Sequence, residues 1–596
     1  MQKYPLDIHF FLDIVVPVYN SRNMAHIIKK MKNGRPYYYV RETARVDGKP
    51  RVVTQIYLGT IERILEMAAG GRGKPINISC QEFGSLFVAH LMDREVGIAS
   101  LIDSVIKRGK GESGPSVGEY FLYAVLNRMV DPCSKRALPE WYRATAIQQI
   151  RPVEIAELDS KRYWDKWDRV REKNIEKIAS LFFEKIRRIE PPESGCFLFD
   201  TTNYYTFMAS DTDSDLAKRG KNKEGRDWLR QVGVALLVSR DNEVPFFYKE
   251  YEGNRHDSKL FSRIMEEVLS VMKRASGKNA ELTIVFDKGM NSEDNVAAID
   301  AAERIHFITT YSTHYAEELV RIKLSEFKPV DSTKNLELCK LGREDDRLLA
   351  FRTNGEYWGR NRTVVVTHNP LTAAKQRYAF DRKLLELQET LFFLRSKVQS
   401  QASVWTSPKK VEKHYNEACE HLHIPRDLYE ISVEKENGTS KLLFRKNHYR
   451  IGRYIERFGK NILITDHLDW TTDEIVKASL DRYMVEKAFR QTKDEAMVSV
   501  LPLRHWTDEK IRCHILTCVM SLTYLRLMEN KLRRAGVSIT AASAMNHLRR
   551  LHSCLHWTTS RNKPARVLEE PTEIQSQILS AFGYEIADGA LRQLAG

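Results

Sequence analysis

Apolar and polar positions change their period several times along the chain, and each change predicts a change of element. Around Asp47-Gly48, residues 37–45 and 51–58 are rich in aromatic and β-branched residues, which predicts two strands joined by a tight turn. Gly70, Gly71, Gly73 and Pro75 then punctuate the chain as a linker does. Helical periodicity follows, predicting helices over 83–96, 118–131, 138–144 and 161–186. After Pro191-Pro192 the texture becomes strand-like at 196–200, 232–238 and 244–251, helical at 257–272, and strand-like again at 282–287 and 305–310. Three strands, a helix, a strand, a helix and a strand make an α/β sheet.

The next stretch is longer than any ordinary connecting loop. It carries strand-like pieces at 348–352 and 363–367, helices at 371–398 and 408–419, and a hairpin turning at Asn437-Gly438. It reads as a mixed insertion with its own packing. A strand at 461–465 and a helix at 472–493 resume the α/β pattern. The apolar run at 514–528 is interrupted by Thr517, Ser521 and Thr523 and is too short for a bilayer, so it predicts a buried helix; a further helix is expected over 541–554. The expected division is a basic β-rich region at 1–75, a helical domain at 76–190, an α/β core at 191–330 and 461–530, the insertion at 331–460, and a helical C-terminal region at 531–596.

Composition narrows the class. A chain of 596 residues with 42% hydrophobic and 29% charged positions can bury several cores, and ordinary Gly (29) and Pro (19) counts exclude a fibrous or largely disordered chain. Lys+Arg 94 against Asp+Glu 79 leaves a net charge of +15, which suits a polyanionic partner and equally suits a well-solvated surface. The most lopsided stretch is 20–60, with nine Lys/Arg, including Arg41, Arg45 and Arg51, against two acids. With Tyr37–Tyr39 among them, this hairpin either grips a nucleic-acid backbone or is a solvated hairpin whose tyrosines pack on a neighbour. Eight scattered cysteines without Cys-x-x-Cys point to a reducing compartment. The apolar residues at 10–19 are interrupted by Asp13 and lack a cleavage site, so no signal peptide and no membrane association are expected.

The candidate chemistry starts from two strands that end in aspartate, Asp200 and Asp287. Carboxylates at strand ends of an α/β sheet can converge, and two-metal phosphoryl transfer needs converging oxygen ligands. A third acid is required. Glu486 lies on a helix where Ser479, Arg482, Glu486, Arg490 and Lys493 are 3, 4, 4 and 3 residues apart, the spacing of one helical stripe. Such a stripe either serves metals and phosphates or is an ordinary surface ion pair at i,i+4.

In order along the chain, Leu198-Phe-Asp200-Thr-Thr, Gly220…Arg226 leading to Gln231-Val, Glu252-Gly253-Asn254-Arg-His-Asp257, Val285-Phe-Asp287-Lys-Gly289-Met and Arg482-x3-Glu486-x6-Lys493 resemble the bacterial insertion-sequence transposases of the DDE class. The resemblance extends to Arg41…Gly48…Leu58-Gly59 and to Leu501-Pro502-Leu-Arg-His505-Trp, Ile511 and His514. Between Asp200 and Asp287 lie 86 residues, and between Asp287 and Glu486 lie 198, which leaves room for the insertion. The resemblance implies an RNase H-like catalytic core with a large insertion, preceded here by the basic hairpin region and the helical domain. It implies that Asp200, Asp287 and Glu486 ligate two Mg²⁺ ions, an all-oxygen set that also suits Mn²⁺. Water, and then the freed 3′-hydroxyl, would attack phosphodiesters in line.

Arg482 and Lys493, with Arg490 as a helper, would hold the transposon end. The partners implied are double-stranded DNA, as inverted repeats and as target, and a second copy in a synaptic homodimer, acting in the cytoplasm on the nucleoid. One position departs from the family: Ser479 stands where a tyrosine is usual. Serine can hydrogen-bond a phosphate but cannot stack, and Tyr483 is a neighbour able to substitute.

The rivals are a domesticated nuclease of the same fold and a catalytically inactive DNA-binding repressor; the presence of all three acids argues against the inactive form. His547, His552, Cys554 and His556 lack zinc-site spacing and are read as packing or solvated residues. Cys513 and Cys518 are read as small core residues, and His256 as a turn histidine near the site. Trp358, Trp405 and Trp470 are aromatics of the kind that can hold a flipped base, and nothing in the sequence selects one of them.

Overall fold

The computed structural model describes residues 23–32, 35–46, 49–61, 64, 75–209, 211–220, 225–255, 257–276, 280–400, 402, 405, 407–436, 439–558 and 564–594. The turns Asp47-Gly48 and Asn437-Gly438, the apolar stretch 10–19, the glycines at 70, 71 and 73, and His256 lie outside them. The chain divides into two compact units: residues 179–493 with 501–511, and residues 1–178 with 494–500 and 512–596.

The first of these units is organised by one ten-stranded sheet. Strands Cys196–Thr206, Arg230–Ser239 and Pro245–Glu252 form an antiparallel meander. Helix Asp257–Ser276 then crosses to Leu282–Phe286, which runs parallel to the first strand, and Ile305–Tyr311 runs parallel beside that. The spatial order third, second, first, fourth, fifth, with only the crossover strands parallel, is the RNase H-like arrangement expected. The strands Leu282–Phe286 and Arg230–Ser239 are almost wholly buried, as continuous apolar runs covered on both faces must be.

Beyond the fifth strand the sheet continues antiparallel through Lys460–Thr465, Arg360–His368 and Leu349–Tyr357. The strand-like pieces at 348–352 and 363–367, assigned to the insertion from sequence, are therefore part of this sheet. Their reason is burial: Thr363–Thr367 is covered on both faces, which a separate small module could not provide. The insertion's own core begins at the helix Pro370–Gln399 and adds Pro408–Leu422, the hairpin Tyr429–Glu436/Thr439–Lys446 and His448–Ile455. Phe380, Leu384, Leu387, Leu391, Tyr415, Leu428 and Leu442 pack together within it.

The helix expected over 472–493 is two helices, Thr472–Asp481 and Tyr483–Lys493. A Thr471/Glu474 capping box fixes the start of the first. At Arg482 the ladder tightens: Arg482 N–H reaches Ser479 O at 3.4 Å and Val485 N–H reaches Arg482 O at 3.2 Å, both three-residue steps.

The other unit holds the helices Gly84–Val96, Val117–Val130, Leu138–Ala144, Ser160–Trp167 and the part of Asp508–Arg534 from residue 512 onward. The predicted helix over 161–186 is broken at 168–171, and Glu172–Ile189 forms its second part. The basic hairpin is present as Arg35–Val46 paired with Lys49–Gly59, and a strand not foreseen, Asn23–Lys32, completes a three-stranded antiparallel sheet. Residues 541–554 are not one helix: Ala541–Leu548 is helical, and His552–Thr558 is a strand paired with Pro75–Glu82. That pairing sets Cys554 opposite Cys80, and the two form a disulfide across 474 residues of chain, which departs from the reading of the scattered cysteines as reduced; at that separation no spacing pattern announces a pair. Cys513 and Cys518 are buried and take part in no disulfide, as small core residues. Among the described residues no helix is long and apolar enough to cross a membrane.

Candidate active site

Parallel pairing places the two aspartates level with one another. Leu198 lies opposite Val285, and two residues further along each chain come Asp200 and Asp287. Asp200 is inside its strand, opposite Leu236 of the meander, with its side chain only 13% exposed. Its Oδ1 accepts a hydrogen bond from the Thr201 N–H at 2.8 Å. Asp287 follows immediately after Leu282–Phe286, and its Oδ1 accepts from the Thr310 hydroxyl at 2.8 Å. Thr310 Oγ1 also accepts from the Lys288 N–H at 2.9 Å, and the Thr310 carbonyl accepts from Asn291 Nδ2 at 2.9 Å. The fifth strand thus holds the loop that carries Asp287 at two points.

The third acid comes from the helix Tyr483–Lys493, which buries Val485, Ala488, Phe489 and Thr492. Thr492 hydrogen-bonds the hydroxyl of Tyr204, on the Asp200 strand. On either side of Arg482, Asp481 pairs with Arg240 at 2.7 Å and Lys487 with Glu243 at 3.2 Å, so the junction is pinned to the turn after the second core strand. Glu486 then faces the sheet from the first turn of its helix.

Arg482 joins the three acids. Its guanidinium lies 3.6 Å from Asp200 Oδ2, 3.9 Å from Asp287 Oδ1 and 3.0 Å from Glu486 Oε1. The i,i+4 ion pair that the spacing allowed is real, but it is not a surface pair, because the same guanidinium also serves two strand-borne carboxylates. Three formal negative charges against one positive leave an excess of two, and the donors are all hard oxygens; that chemistry fits a divalent cation of the Mg²⁺ or Mn²⁺ type. Among the described residues no three His, Cys, Asp or Glu side chains are spaced to hold a metal by themselves; the acids are drawn together through the guanidinium.

The rest of the predicted stripe is divided by the break at Arg482. Ser479 remains on the preceding helix and is half-buried, while Tyr483 is exposed. Lys493 extends over the Tyr204 ring, 5.7 Å from its centroid. Arg490 is exposed and makes no ion pair among the described residues. In the basic sheet, Arg41 donates to Gln55 Oε1 at 2.9 Å and Lys30 lies 5.1 Å over the Tyr39 ring, while Arg51 is exposed. Arg45 stands in the same strand as Arg41.

Gly253, from the motif set, and Trp470, one of the three aromatics, are both packed against neighbouring segments. A Cβ on Gly253 would stand 1.8 Å from the Gln231 carbonyl oxygen, and the Gln231 side chain donates to the Gly253 carbonyl at 2.7 Å, so this glycine lets two chain segments meet. Trp470 stacks on His467, 4.0 Å between centroids, and His467 hydrogen-bonds Thr283 near the start of the strand whose far end leads to Asp287. The residue that sequence reasoning missed is Thr310. A threonine at a strand end gives no signal until its neighbour across the sheet is known.

No curated protein sequence matches the chain. Among solved structures, one described as the cryo-EM structure of a piggyBac transposase synaptic complex with hairpin DNA aligns with a TM-score of 0.37 at 9% identity, over 78% of this chain and 79% of that one, a score too low to bear on the fold. Residues 200–524 match the transposase DDE domain, a stretch that begins on Asp200, takes in Asp287, Arg482 and Glu486, and spans more than half the chain. The chain therefore belongs to the DDE transposase family, enzymes that use divalent metal ions to cleave DNA strands and transfer them.

Proposed function

We propose that Asp200, Asp287 and Glu486 together hold two Mg²⁺ ions, replaceable by Mn²⁺, and that this site cuts the DNA at the inverted ends of an insertion sequence and joins the 3′ ends to target DNA. The observation that carries the reading is the approach of all three carboxylates, from three separate elements, to the single guanidinium of Arg482. Bound divalent ions would supply Lewis acidity to the attacking and leaving oxygens of an in-line displacement. The chain's own residues do the rest. The Thr201 N–H fixes one oxygen of Asp200, which turns the other, Oδ2, toward Arg482, while Asp287 meets both the Thr310 hydroxyl and Arg482 through Oδ1. Arg482 balances the acids, and when other cations take over that task it is available to a DNA phosphate.

Lys493, Arg490 and Ser479 extend that phosphate-binding surface along the two helices. Arg41, Arg45 and Arg51 of the three-stranded sheet bind the terminal repeats, with Lys30 and Tyr39 on the Arg41 face. Two such chains act together in the synaptic complex, one for each end.

The test uses the full chain with Mg²⁺ and labelled terminal repeats. The wild type should nick and join the ends. Asp200→Ala should lose both reactions while retaining end binding, and retained cleavage would overturn the assignment.

A further inference from the structure

The helix Pro370–Gln399 has two apolar stripes where packing requires one. The inner stripe, Phe380, Leu384, Leu387, Leu391, Leu394 and Val398, is buried in the core of the insertion. The outer stripe is Tyr378, Leu385 and Phe392, spaced seven apart and 68%, 60% and 45% exposed. At about 100° per residue the outer three fall within roughly 40° of one another and about 140° from the centre of the inner stripe. Apolar residues exposed at one position per heptad along a helix can meet the same positions of a second helix laid alongside it.

The polar residues on the same face show what fits there. Arg382 and Glu389 are both exposed and flank Leu385, and neither makes an ion pair among the described residues. If a second copy of the helix is laid antiparallel with Leu385 against Leu385 of the second copy, Tyr378 falls opposite Phe392 of the second copy. Arg382 then comes within one residue of the level of Glu389 of the second copy, and symmetry makes the Tyr378–Phe392 and Arg382–Glu389 contacts twice, with Leu385 meeting its counterpart once at the axis. A parallel arrangement would instead set Arg382 against its own counterpart and Glu389 against its own. Phe392 is already held in place for such a contact, edge-on to Phe444 with ring centroids 5.3 Å apart and under the Arg395 guanidinium at 4.7 Å.

We propose that Tyr378, Leu385 and Phe392 form the seam by which the insertion docks on a second copy of this chain, antiparallel, with Leu385 at the twofold axis and Arg382 paired with Glu389 of the second copy. The proposal rests on the homodimer reading given above and specifies its surface. It is tested by the mass of the full chain in sedimentation equilibrium, alone and with terminal-repeat DNA. Leu385→Glu should raise the dimer dissociation constant at least 100-fold, with an unchanged melting temperature because the site is exposed. Arg382→Glu should raise it about 10-fold by setting acid against acid, and the double variant Arg382→Glu/Glu389→Arg should restore it.

A Leu385→Glu protein that remains a dimer overturns the seam and leaves the homodimer standing. A wild type that is monomeric with and without DNA overturns both. A Leu385→Glu protein that loses DNA affinity with no change in mass shows that the stripe serves nucleic acid, and also overturns the seam.

Discussion

Two cationic side chains in this protein are shielded from water in opposite ways. Arg482 is surrounded by charge, with three carboxylates from separate elements 3.0 to 3.9 Å away. Lys135 has no such partner. It is 3% exposed, its Nζ makes no hydrogen bond, and its nearest rings are Trp167 at 5.1 Å and Tyr163 at 5.8 Å. Burial, with the nearby Arg128 guanidinium, holds its pKa down at about 7 against the opposing influence of Cys518, Cys133 and Cys513. The first cation is held by charges that another cation could satisfy, so it is exchangeable. The second is held by shape and packing, and its charge is a cost to the fold. Exchange of cations is what a metal- and phosphate-handling site requires, and a packed interior has no use for it.

The largest effects should follow from treating the acids as one unit. Asp200→Asn and Asp287→Asn should each lower the rate of strand cleavage on labelled ends by about 10³-fold or more, and the double variant should be no worse than the worse single one. Losses that multiply would show acids acting separately.

Lys135→Met should stabilise the protein by roughly 2–4 kcal/mol at pH 7 in denaturant melts, since it removes a buried amine that the unfolded chain would protonate. The sign follows from a folded pKa of about 7 below the ordinary 10.5: the wild type is penalised progressively as pH falls through that interval, so the variant's advantage should grow from pH 10 to pH 7. An advantage independent of pH would place the effect in packing alone.

Arg482→Ala should do two things at once. Affinity for divalent ions, measured by calorimetry, should rise about 10-fold because a competing cation is gone, and the salt dependence of end binding should fall by about one counterion. If both are unchanged, the guanidinium is only a structural ion pair.

His306 provides a titratable counterpart to Arg482. It is bonded to Asp466 at 2.9 Å and Glu281 at 3.1 Å, and the hydrogen bond to Asp466 is the main cause of a pKa raised to about 9. Because the folded value lies above the unfolded 6.5, its contribution is complete below pH 6.5 and lost as pH rises to 9. His306→Gln should remove roughly 1–2 kcal/mol of stability at pH 6 and almost none at pH 10.

Much of the catalytic core was legible because burial leaves a record in the sequence. The strands around Asp200 and Asp287 are apolar runs bounded by polar residues, and the Glu486 helix has a regular apolar face. What could not be read depended on partners distant in sequence. The strands at 349–357 and 360–368 belong to the main sheet because Lys460–Thr465 pairs with the second of them, and that pairing leaves no local trace. Strand Asn23–Lys32 was missed because Ile27 and Met31 are exposed, so no buried face imposed alternation. Arg482 is singled out by the spacing, but its role as a hub is not, since the two strand-borne carboxylates it meets, Asp200 and Asp287, lie far from it in sequence.

The most direct test of the central claim is equilibrium binding of Mn²⁺ to the full chain, followed by the paramagnetic signal of the free ion, in the wild type and in Asp200→Asn, Asp287→Asn and Glu486→Gln. Binding that saturates at two ions in the wild type and is lost or halved in each variant is the predicted result. If any one of the three substitutions leaves ion binding unchanged, the carboxylates do not form a single site.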